Sequence, residues 1–528
     1  MTTLDWIVIT VYLAGMIGLS VYLGRGQEDA DDYYVGGRNL PWWAVGISTM
    51  ATQTSAVSFI SIPAFVALVE GGGLTWLQYE LSVPLAMIVV MVLLIPFFRS
   101  LELVSVYEYL ELRYGPRARS MMSIVFLLSR GLGTGVGVYA SAIVLEVCLG
   151  TPLWATILLI GVVTVIYDTI GGMAAVVYSD VVQMVVLVGG LLLCIAIGFE
   201  EAGGAAAAFD SLPPDRWRAF DPGTGIFDGA KTPFWGFLVG GLFLYISYYG
   251  VDQSQAQREL SAPTLADTKR SLVLNGLLRF PLTVLYLILG IAMGAAYLAS
   301  PELQSVVPAE RPDYLVPQFI LHKLPTGLRA VLFAAILAAA MSSLDSALNS
   351  LSASTMKDFI ERRRALKSDE LLRVGRITTV IWGAAITGMA FLVGGMSGTI
   401  VEAINKIGSA FYGPILASFL VGVLSKRVNE TGVIAGVIVG VAFNLGLWIF
   451  APGLYWMWWN LTGLIVAAVA AFAASALAAP PSEEQRRYTL TFDGIVEEEK
   501  KWLKTYAVLI TYFVVILSIV VFADDLLA

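Results

Sequence analysis

Long apolar stretches, each about the length that crosses a bilayer as a helix, recur from one end of this chain to the other. About twenty apolar residues are needed for one crossing. The mean hydropathy is +0.77 and 57% of the 528 residues are hydrophobic, which excludes a soluble protein of this size. We therefore predict an all-α integral membrane protein with about fourteen transmembrane helices, at positions 5–24, 41–66, 76–98, 119–148, 153–170, 175–199, 233–257, 268–298, 325–355, 373–395, 398–424, 430–450, 457–478 and 503–523.

The charged residues indicate how the chain is oriented. Most Lys and Arg fall in the loops on one side of the predicted helices, and the positive-inside rule places that side in the cytoplasm. This predicts a multi-pass protein of the plasma or inner cell membrane, with both termini extracytoplasmic.

Composition and motifs also exclude several function classes. No basic stripe with interleaved aromatic residues is present, so we expect no nucleic-acid partner. The apolar segments contain no nucleophile with a base and no paired histidines, so we do not expect an enzyme. The expected partners are the lipid bilayer and a small molecule, and no obligate protein partner is evident.

One predicted helix carries a stripe of polar residues through its centre. In the segment 334–358, Ser342, Asp345, Ser346 and Asn349 recur at helical spacing and share one face. A carboxylate at the centre of a membrane helix costs on the order of 2.5–3.5 kcal/mol, so such groups usually line a cavity or an ion path. Hydroxyl and carboxylate oxygens are ligands of hard cations, which favours a cation site. The alternative is a set of serines bonded to their own helix with one paired aspartate.

Two other predicted helices are interrupted. The span 41–66 has Ser, Thr and Gln at its centre and Pro63 near one end, and the span 233–257 contains Gly250 and Asp252. Backbone leaves helical geometry at membrane depth only where it lines a cavity. The two interruptions lie five helices apart, and each opens a group of five. This spacing is typical of the inverted repeats of secondary transporters.

Three motifs carry a resemblance to a known family: GGMAAVVYSDVVQ (171–183), DQSQAQRELSA (252–262) and AAAMSSLDSALNSLSASTMKDF (338–359). With them, the chain resembles the sodium/solute symporters, which include transporters of sugars, proline, sialic acids, monocarboxylates, vitamins and iodide. The resemblance implies a LeuT-type 5+5 inverted repeat in a single transporter domain. Its parts would be an extra first helix, two five-helix repeats and three peripheral C-terminal helices, at 5–24, 41–199, 233–424 and 430–523.

The resemblance also implies Na⁺ as the coupling ion and gives its ligands. The family's principal site uses carbonyls of the first broken helix, which fall on Ala51 and Thr54. Its hydroxyl ligands fall on Ser342 and Ser343, which agrees with the polar stripe.

A second cation site follows from the same resemblance. Some members hold another Na⁺ at an aspartate that corresponds to Asp180, and the hydroxyl usually found near it is replaced here by Asp345. We predict a second site formed by Asp180, Asp345 and Ser346. The two carboxylates would bind Na⁺ or share a proton, because like charges raise one another's pKa. In the alternative interpretation, Asp180 pairs with an intramembrane Arg or Lys.

The substrate residues implied by the resemblance are Ser55, Ser58, Tyr248, Asn405 and Lys406. The residues 105–120 are most similar to the monocarboxylate, vitamin and iodide branch. A buried lysine needs a counter-charge, which suits an anionic substrate. In the alternative, Lys406 pairs with Glu402 one turn earlier. Arg130, in the fourth predicted helix, is equally ambiguous.

These observations predict a Na⁺-coupled secondary active symporter that imports a small organic solute, an anion such as a carboxylate, by alternating access. The alternative is Na⁺-coupled transport of a sugar or another neutral solute. A Na⁺-gated channel or a sensor is disfavoured.

Overall fold

The computed structural model describes residues 2–27, 29–101, 103–364, 366–392, 400–490 and 498–527, and within them the chain is helical apart from loops and one isolated bridge between Ile226 and Leu454. The main helices are α1 (Thr3–Leu23), α2 (Ala30–Val35), α3 (Trp42–Gln53), α4 (Ala56–Ala67), α5 (Val83–Val89), α6 (Ile95–Ser100), α7 (Tyr107–Arg113), α8 (Pro116–Leu149), α9 (Leu153–Glu201), α10 (Ala205–Ser211), α11 (Gly241–Gly250), α12 (Gln253–Glu259), α13 (Leu265–Ala299), α14 (Pro301–Val306), α15 (Leu315–Lys323), α16 (Leu328–Thr355), α17 (Ser368–Ala390), α18 (Ile400–Leu424), α19 (Glu430–Phe450), α20 (Trp458–Ser475), a short helix Glu483–Arg487 and a last helix Leu503–Leu527.

Most of the predicted spans meet the length and apolarity that a membrane crossing requires. Among the described residues, ten helices do so, and the bent pair α3 and α4 brings the number to eleven. Shorter apolar helices, Leu153–Ile166 and Gly236–Gly250, lie at the fifth and seventh predicted spans. The remaining span, 373–395, is helical as α17 up to Ala390, and its residues 393–395 lie outside the described part of the chain.

The fifth and sixth predicted spans, 153–170 and 175–199, follow one another without a loop. Both lie in α9, whose helical geometry is interrupted at Gly172. Gly172 has φ 57° and ψ −162°, a conformation that glycine adopts without a steric cost. A Cβ atom at this position would lie 2.7 Å from the carbonyl oxygen of Tyr33. The change of direction therefore takes one residue and needs no loop.

Both predicted interruptions are confirmed. Helices α3 and α4 meet at 54° and are separated by Thr54 and Ser55. Helices α11 and α12 are separated by Val251 and Asp252, and the Asp252 carboxylate caps α12 by accepting a hydrogen bond from the amide of Ser254 at 2.9 Å. Each broken pair therefore brings backbone ends into the interior.

Helix α16 lies at the centre of the molecule. In its most apolar window 89% of the residues are buried, compared with 17% in α1 and 28–33% in α19, α20 and the last helix. The helix with the polar stripe is thus enclosed by protein, whereas the first helix and the last three helices lie at the periphery. The division into the four segments predicted from the sequence stays a prediction.

Candidate functional site

The break between α3 and α4 faces two hydroxyl groups of α16. The Oγ of Ser342 lies 3.4 Å from the carbonyl oxygen of Ala51, and the Oγ of Ser343 lies 3.2 Å from the carbonyl oxygen of Thr52. Both hydroxyls also lie within 3.4 Å of the carbonyl oxygen of Ala339. This group of neutral oxygens, which we call the hydroxyl centre, has the ligand chemistry that a hard cation requires.

Thr54, which was predicted as a carbonyl ligand, lies in the same break. Its amide donates to the carbonyl oxygen of Ala51 at 2.9 Å, and its Oγ1 accepts a hydrogen bond from Arg279 at 2.8 Å. Arg279 also donates to the Glu80 carboxylate at 2.5 Å. A buried ion pair from two neighbouring helices thus holds the end of α3 in place.

The residues predicted for the second cation site surround a guanidinium group. The Arg258 side chain lies 3.6 Å from the Asp180 carboxylate and donates hydrogen bonds to Ser346 and, at 2.8 Å, to Ser48. Ser48 in turn donates to Asp180 at 2.5 Å. This group, with Asp345 beside Ser346, we call the charged centre. The pairing of Asp180 with an intramembrane arginine, one of the two interpretations of the sequence, is therefore present.

Sequence reasoning missed Arg258. The predicted span ended at residue 257, which assigned Arg258 to a loop, but its side chain is fully buried in α12. Arg258 is part of the motif DQSQAQRELSA, one to two helical turns after the break, and this position could have indicated that its side chain is buried. All residues of α12 are buried. Gln253 bonds the backbone of Val104 and Val106 at 2.7 and 2.9 Å, so this end of the molecule is closed by polar contacts.

A cavity of about 140 Å³ lies beside the hydroxyl centre. Its walls include four of the five predicted substrate residues, Ser55, Ser58, Tyr248 and Asn405. Thr52 and Ser343 also line it, so the cavity and the hydroxyl centre share a wall.

Lys406, the fifth predicted substrate residue, does not line the cavity. Its Nζ lies 3.9 Å from the carboxylate of Glu402, one turn earlier on α18, and about a third of the side chain is exposed. Ile404, Asn405 and Gly408 of α18 line the cavity, and Lys406 lies on another face of this helix.

Arg130 is the cation that faces the cavity without a close ion pair. It lines the cavity together with Arg279, but Arg279 is held at 2.5 Å by Glu80. The Arg130 guanidinium lies 4.0 Å from Asp252 and 6.0 Å from the centre of the Tyr248 ring, and its Nε has no hydrogen-bond partner. Spare donors on a buried guanidinium suit an anionic ligand that binds through two oxygens.

Comparison with known proteins identifies the family. The sequence pattern of the sodium:solute symporter family matches residues 33–440, more than three quarters of the chain. The chain belongs to the sodium:solute symporter family.

Several relatives of this symporter cover most of its length. The sodium/sialic acid symporter NanT of Aliivibrio fischeri is 29% identical over 89% of this chain and 92% of its own. The human sodium/iodide cotransporter is 31% identical over 82% of this chain and 67% of its own. The sodium-coupled monocarboxylate transporter 1 of Xenopus laevis is 31% identical over 85% and 73%, respectively. The symporter is accordingly a Na⁺-coupled, multi-pass membrane transporter and not an enzyme.

Solved structures confirm the fold class. The symporter is similar to a Na⁺-coupled sialic acid symporter in a substrate-bound outward-open state, with a TM-score of 0.81 and 27% identity over 91% of this chain and 99% of that chain. The transporter Mhp1 in a closed conformation, at 14% identity, shares the fold with a TM-score of 0.55 over 86% and 97%. The predicted all-α, LeuT-type architecture is confirmed.

Proposed function

We propose that this symporter imports a small organic carboxylate together with Na⁺ by alternating access. The observation that carries the proposal is the Arg130 side chain, which faces the cavity with an unpartnered Nε, a hydrogen bond with Tyr248 and a loose contact with Asp252. Asp252 is itself engaged by Ser254 through two hydrogen bonds. A substrate carboxylate would replace that loose contact with a bidentate pair.

The size of the cavity favours a short-chain monocarboxylate. Its volume of about 140 Å³ is well below the roughly 300 Å³ at which pockets for drug-sized ligands begin. Asn405, the residue that would contact a neutral sugar, already accepts a hydrogen bond from Tyr79 at 2.9 Å. Both observations favour a small anion over a sugar or a sialic acid.

Na⁺ would bind between the hydroxyl centre and Thr54, with Ala51, Thr54, Ser342 and Ser343 as ligands. The shared wall of Thr52 and Ser343 supports direct coupling, because an ion there would order the surface that the substrate contacts. Na⁺ shifts the transporter towards one state only through its higher affinity for that state. Each Na⁺ that enters down about 100 mV supplies about 2.3 kcal/mol, roughly a fifty-fold concentration ratio.

A second cation would bind at Asp180, Asp345 and Ser346. With Asp180 and Asp345 ionised, two carboxylates share the single guanidinium of Arg258 in a fully buried place, and the buried Asp168 carboxylate interacts electrostatically with the same group. An uncompensated buried charge is strongly unfavourable. The remaining charge therefore supports a further Na⁺ or a proton, even with Arg258 present.

For localisation we propose the plasma or inner cell membrane, with both termini extracytoplasmic. The support is the asymmetric distribution of Lys and Arg among the loops. Labelling of single cysteines introduced near Thr2 and in the loop 362–367 with a membrane-impermeant reagent tests this orientation.

Uptake into proteoliposomes tests the substrate. The purified symporter is given radiolabelled lactate, pyruvate, a sialic acid and glucose, each with an inward gradient of Na⁺ or of K⁺. We expect accumulation of the monocarboxylates above equilibrium with Na⁺ only. Equilibration without accumulation would indicate a channel, and uptake of glucose alone would contradict the anion proposal.

Variants of two basic residues test whether the substrate binds at this site. Arg130→Gln is expected to raise the KM for the monocarboxylate about thirtyfold, because hydrogen bonds to a charged group are worth about 1.5–3 kcal/mol. Lys406→Gln is the matched control, since it removes a cation from α18 outside the cavity. Equal KM values for both variants would remove Arg130 from the substrate site.

A further inference from the structure

A second cavity lies on the outer side of α8, away from the transport site. Its volume is about 550 Å³, and it is formed by the beginning of α8 and the π-helical turn Met356–Ile360 that extends α16. Arg117, Arg362 and Arg363 form its polar side together with Ser120. Positions such as Ile124 and Phe359 form its apolar side.

The charge of this cavity is positive. Arg117 and Arg363 are exposed, and the ion pairs found within the described residues involve neither side chain. Arg362 pairs with Glu111 at 3.2 Å and donates to Ser120 at 3.0 Å.

The acidic groups nearby are already engaged. The buried Asp358 carboxylate in the cavity wall accepts from Arg119 at 2.7 Å and from Ser105 at 3.1 Å. The carboxylate of Glu430 accepts from the backbone amide of Arg117 at 2.7 Å. Two arginines are therefore left to attract an anion.

An apolar stripe leads from the cavity along α8. Ile124, Leu128 and Leu132 recur every fourth residue, and 47, 52 and 38% of their surfaces are exposed. Exposed leucine and isoleucine on a membrane helix contact lipid chains. The arginines thus lie at the end of a lipid-facing surface, on the side that the positive-inside rule assigns to the cytoplasm.

We propose that this cavity binds the phosphate headgroup of an anionic phospholipid, whose acyl chains lie along Ile124, Leu128 and Leu132. Basic pockets between membrane helices on the cytoplasmic side have the chemistry that recognises anionic headgroups. A free phosphate would satisfy the arginines but would leave the apolar stripe unused. The site is independent of the transported substrate.

Lipid binding would also stabilise the adjoining helices. Arg119 of α8 and Asp358 form a buried pair directly behind the cavity wall. Asp358 belongs to the extension of α16, the helix that carries Ser342 and Ser343. A headgroup held by Arg117 and Arg363 would therefore join the ends of α8 and α16 from outside.

Lipid titration of the full-length, delipidated protein in detergent tests the proposal. Phosphatidylglycerol, phosphatidylcholine and glycerol phosphate are added in turn, and binding is followed by native mass spectrometry and by the thermal unfolding temperature. We expect binding and a higher unfolding temperature with phosphatidylglycerol only. Equal binding of glycerol phosphate, or equal binding of both lipids, would overturn the proposal.

Arginine variants locate the binding. Each arginine near a membrane surface contributes about fivefold to affinity for anionic lipid, so Arg117→Gln with Arg363→Gln is expected to weaken phosphatidylglycerol binding about twenty-five-fold. Arg364→Gln is the matched control, because this neighbouring arginine is 71% exposed, pairs with Glu370 and does not line the cavity. The single variant Arg363→Gln, expected to lose about fivefold, serves if the double variant fails to fold. Affinity unchanged in Arg363→Gln, or reduced equally in Arg364→Gln, would overturn the proposal.

Discussion

The hydroxyl centre and the charged centre both include residues of α16, but their chemistry is opposite. The hydroxyl centre contains only neutral oxygens, from Ser342, Ser343 and the carbonyl groups of the broken helix. The charged centre contains two carboxylates and the guanidinium of Arg258. An ion at the hydroxyl centre would be held by neutral oxygens, whereas an ion at the charged centre would join a set of fixed charges.

This difference determines how each centre responds to change. A neutral oxygen shell loses one ligand at a time, so its substitutions are expected to alter ion affinity while the fold persists. A buried set of charges depends on every member, and removal of one partner is strongly destabilising. We therefore expect binding effects at the hydroxyl centre and stability or stoichiometry effects at the charged centre.

The largest effect is expected for Arg258→Gln. It leaves Asp180 and Asp345 buried without their guanidinium partner, which costs about 3–5 kcal/mol in the free energy of unfolding. Unfolding of the purified protein in detergent by a chemical denaturant measures this loss. Adding Asp180→Asn to Arg258→Gln is expected to restore much of the stability. If Arg258→Gln unfolds like the exposed control Arg364→Gln, the charged centre has no structural role.

The next effect concerns stoichiometry. With a monoanionic substrate, two cations move one net positive charge inward per cycle. Asp180→Asn removes one carboxylate of the charged centre and with it the attraction for the second cation. The cycle would then be electroneutral, so the current is expected to disappear. Accumulation at about 100 mV would fall roughly fifty-fold. Reconstituted vesicles clamped at several potentials measure the coupling ratio.

Asp345→Ser is the matched variant for that experiment, because it removes the other carboxylate and restores the hydroxyl that the family resemblance leads one to expect. We expect Asp345→Ser to reduce the number of cations transported per substrate, as Asp180→Asn does. A ratio of one cation per substrate in the unaltered protein would refute the second site.

A smaller effect is expected at the hydroxyl centre. Ser343→Ala removes one oxygen, which is worth about 1–3 kcal/mol, so the Na⁺ concentration for half-maximal uptake is expected to rise about tenfold. The control is Ser350→Ala on the same helix, where the hydroxyl donates only to Ala347 of its own turn at 3.0 Å. An unchanged Na⁺ dependence in Ser343→Ala would remove this residue from the ion site.

The smallest effect is expected for Lys406→Gln, which breaks an ion pair at the edge of α18. Exposed ion pairs are worth about 0–1 kcal/mol, so the KM for the monocarboxylate is expected to change less than about threefold, as for Glu402→Gln. A tenfold increase would return Lys406 to the substrate site.

The sequence was sufficient to predict the fold class and the positions of the two broken helices. Polar residues and a proline at membrane depth in 41–66, and Gly250 with Asp252, are costly in an ordinary membrane helix, so they mark the two breaks. The polar stripe of α16 was visible because helical spacing places its members on one face.

The contacts of individual side chains could not be predicted in the same way. Arg258 follows a break, and spacing alone does not show that α12 turns its side chain towards Asp180. Lys406 was chosen for its charge, although Asn405 already occupied the direction that faces the cavity. Arg130 was ambiguous because only the tertiary structure shows that Asp252 stays 4.0 Å away while Glu80 holds Arg279 closely.

The bend of α9 at Gly172 has a mechanical consequence. The two halves of α9 meet at one residue, with no loop between them. Gln27 anchors the bend by donating a hydrogen bond to the carbonyl oxygen of Gly171 at 2.6 Å. Asp180 lies in the second half of α9, about 12 Å from the bend along the helix axis. We therefore expect a displacement of Gln27 to move the second half of α9, and Asp180 with it.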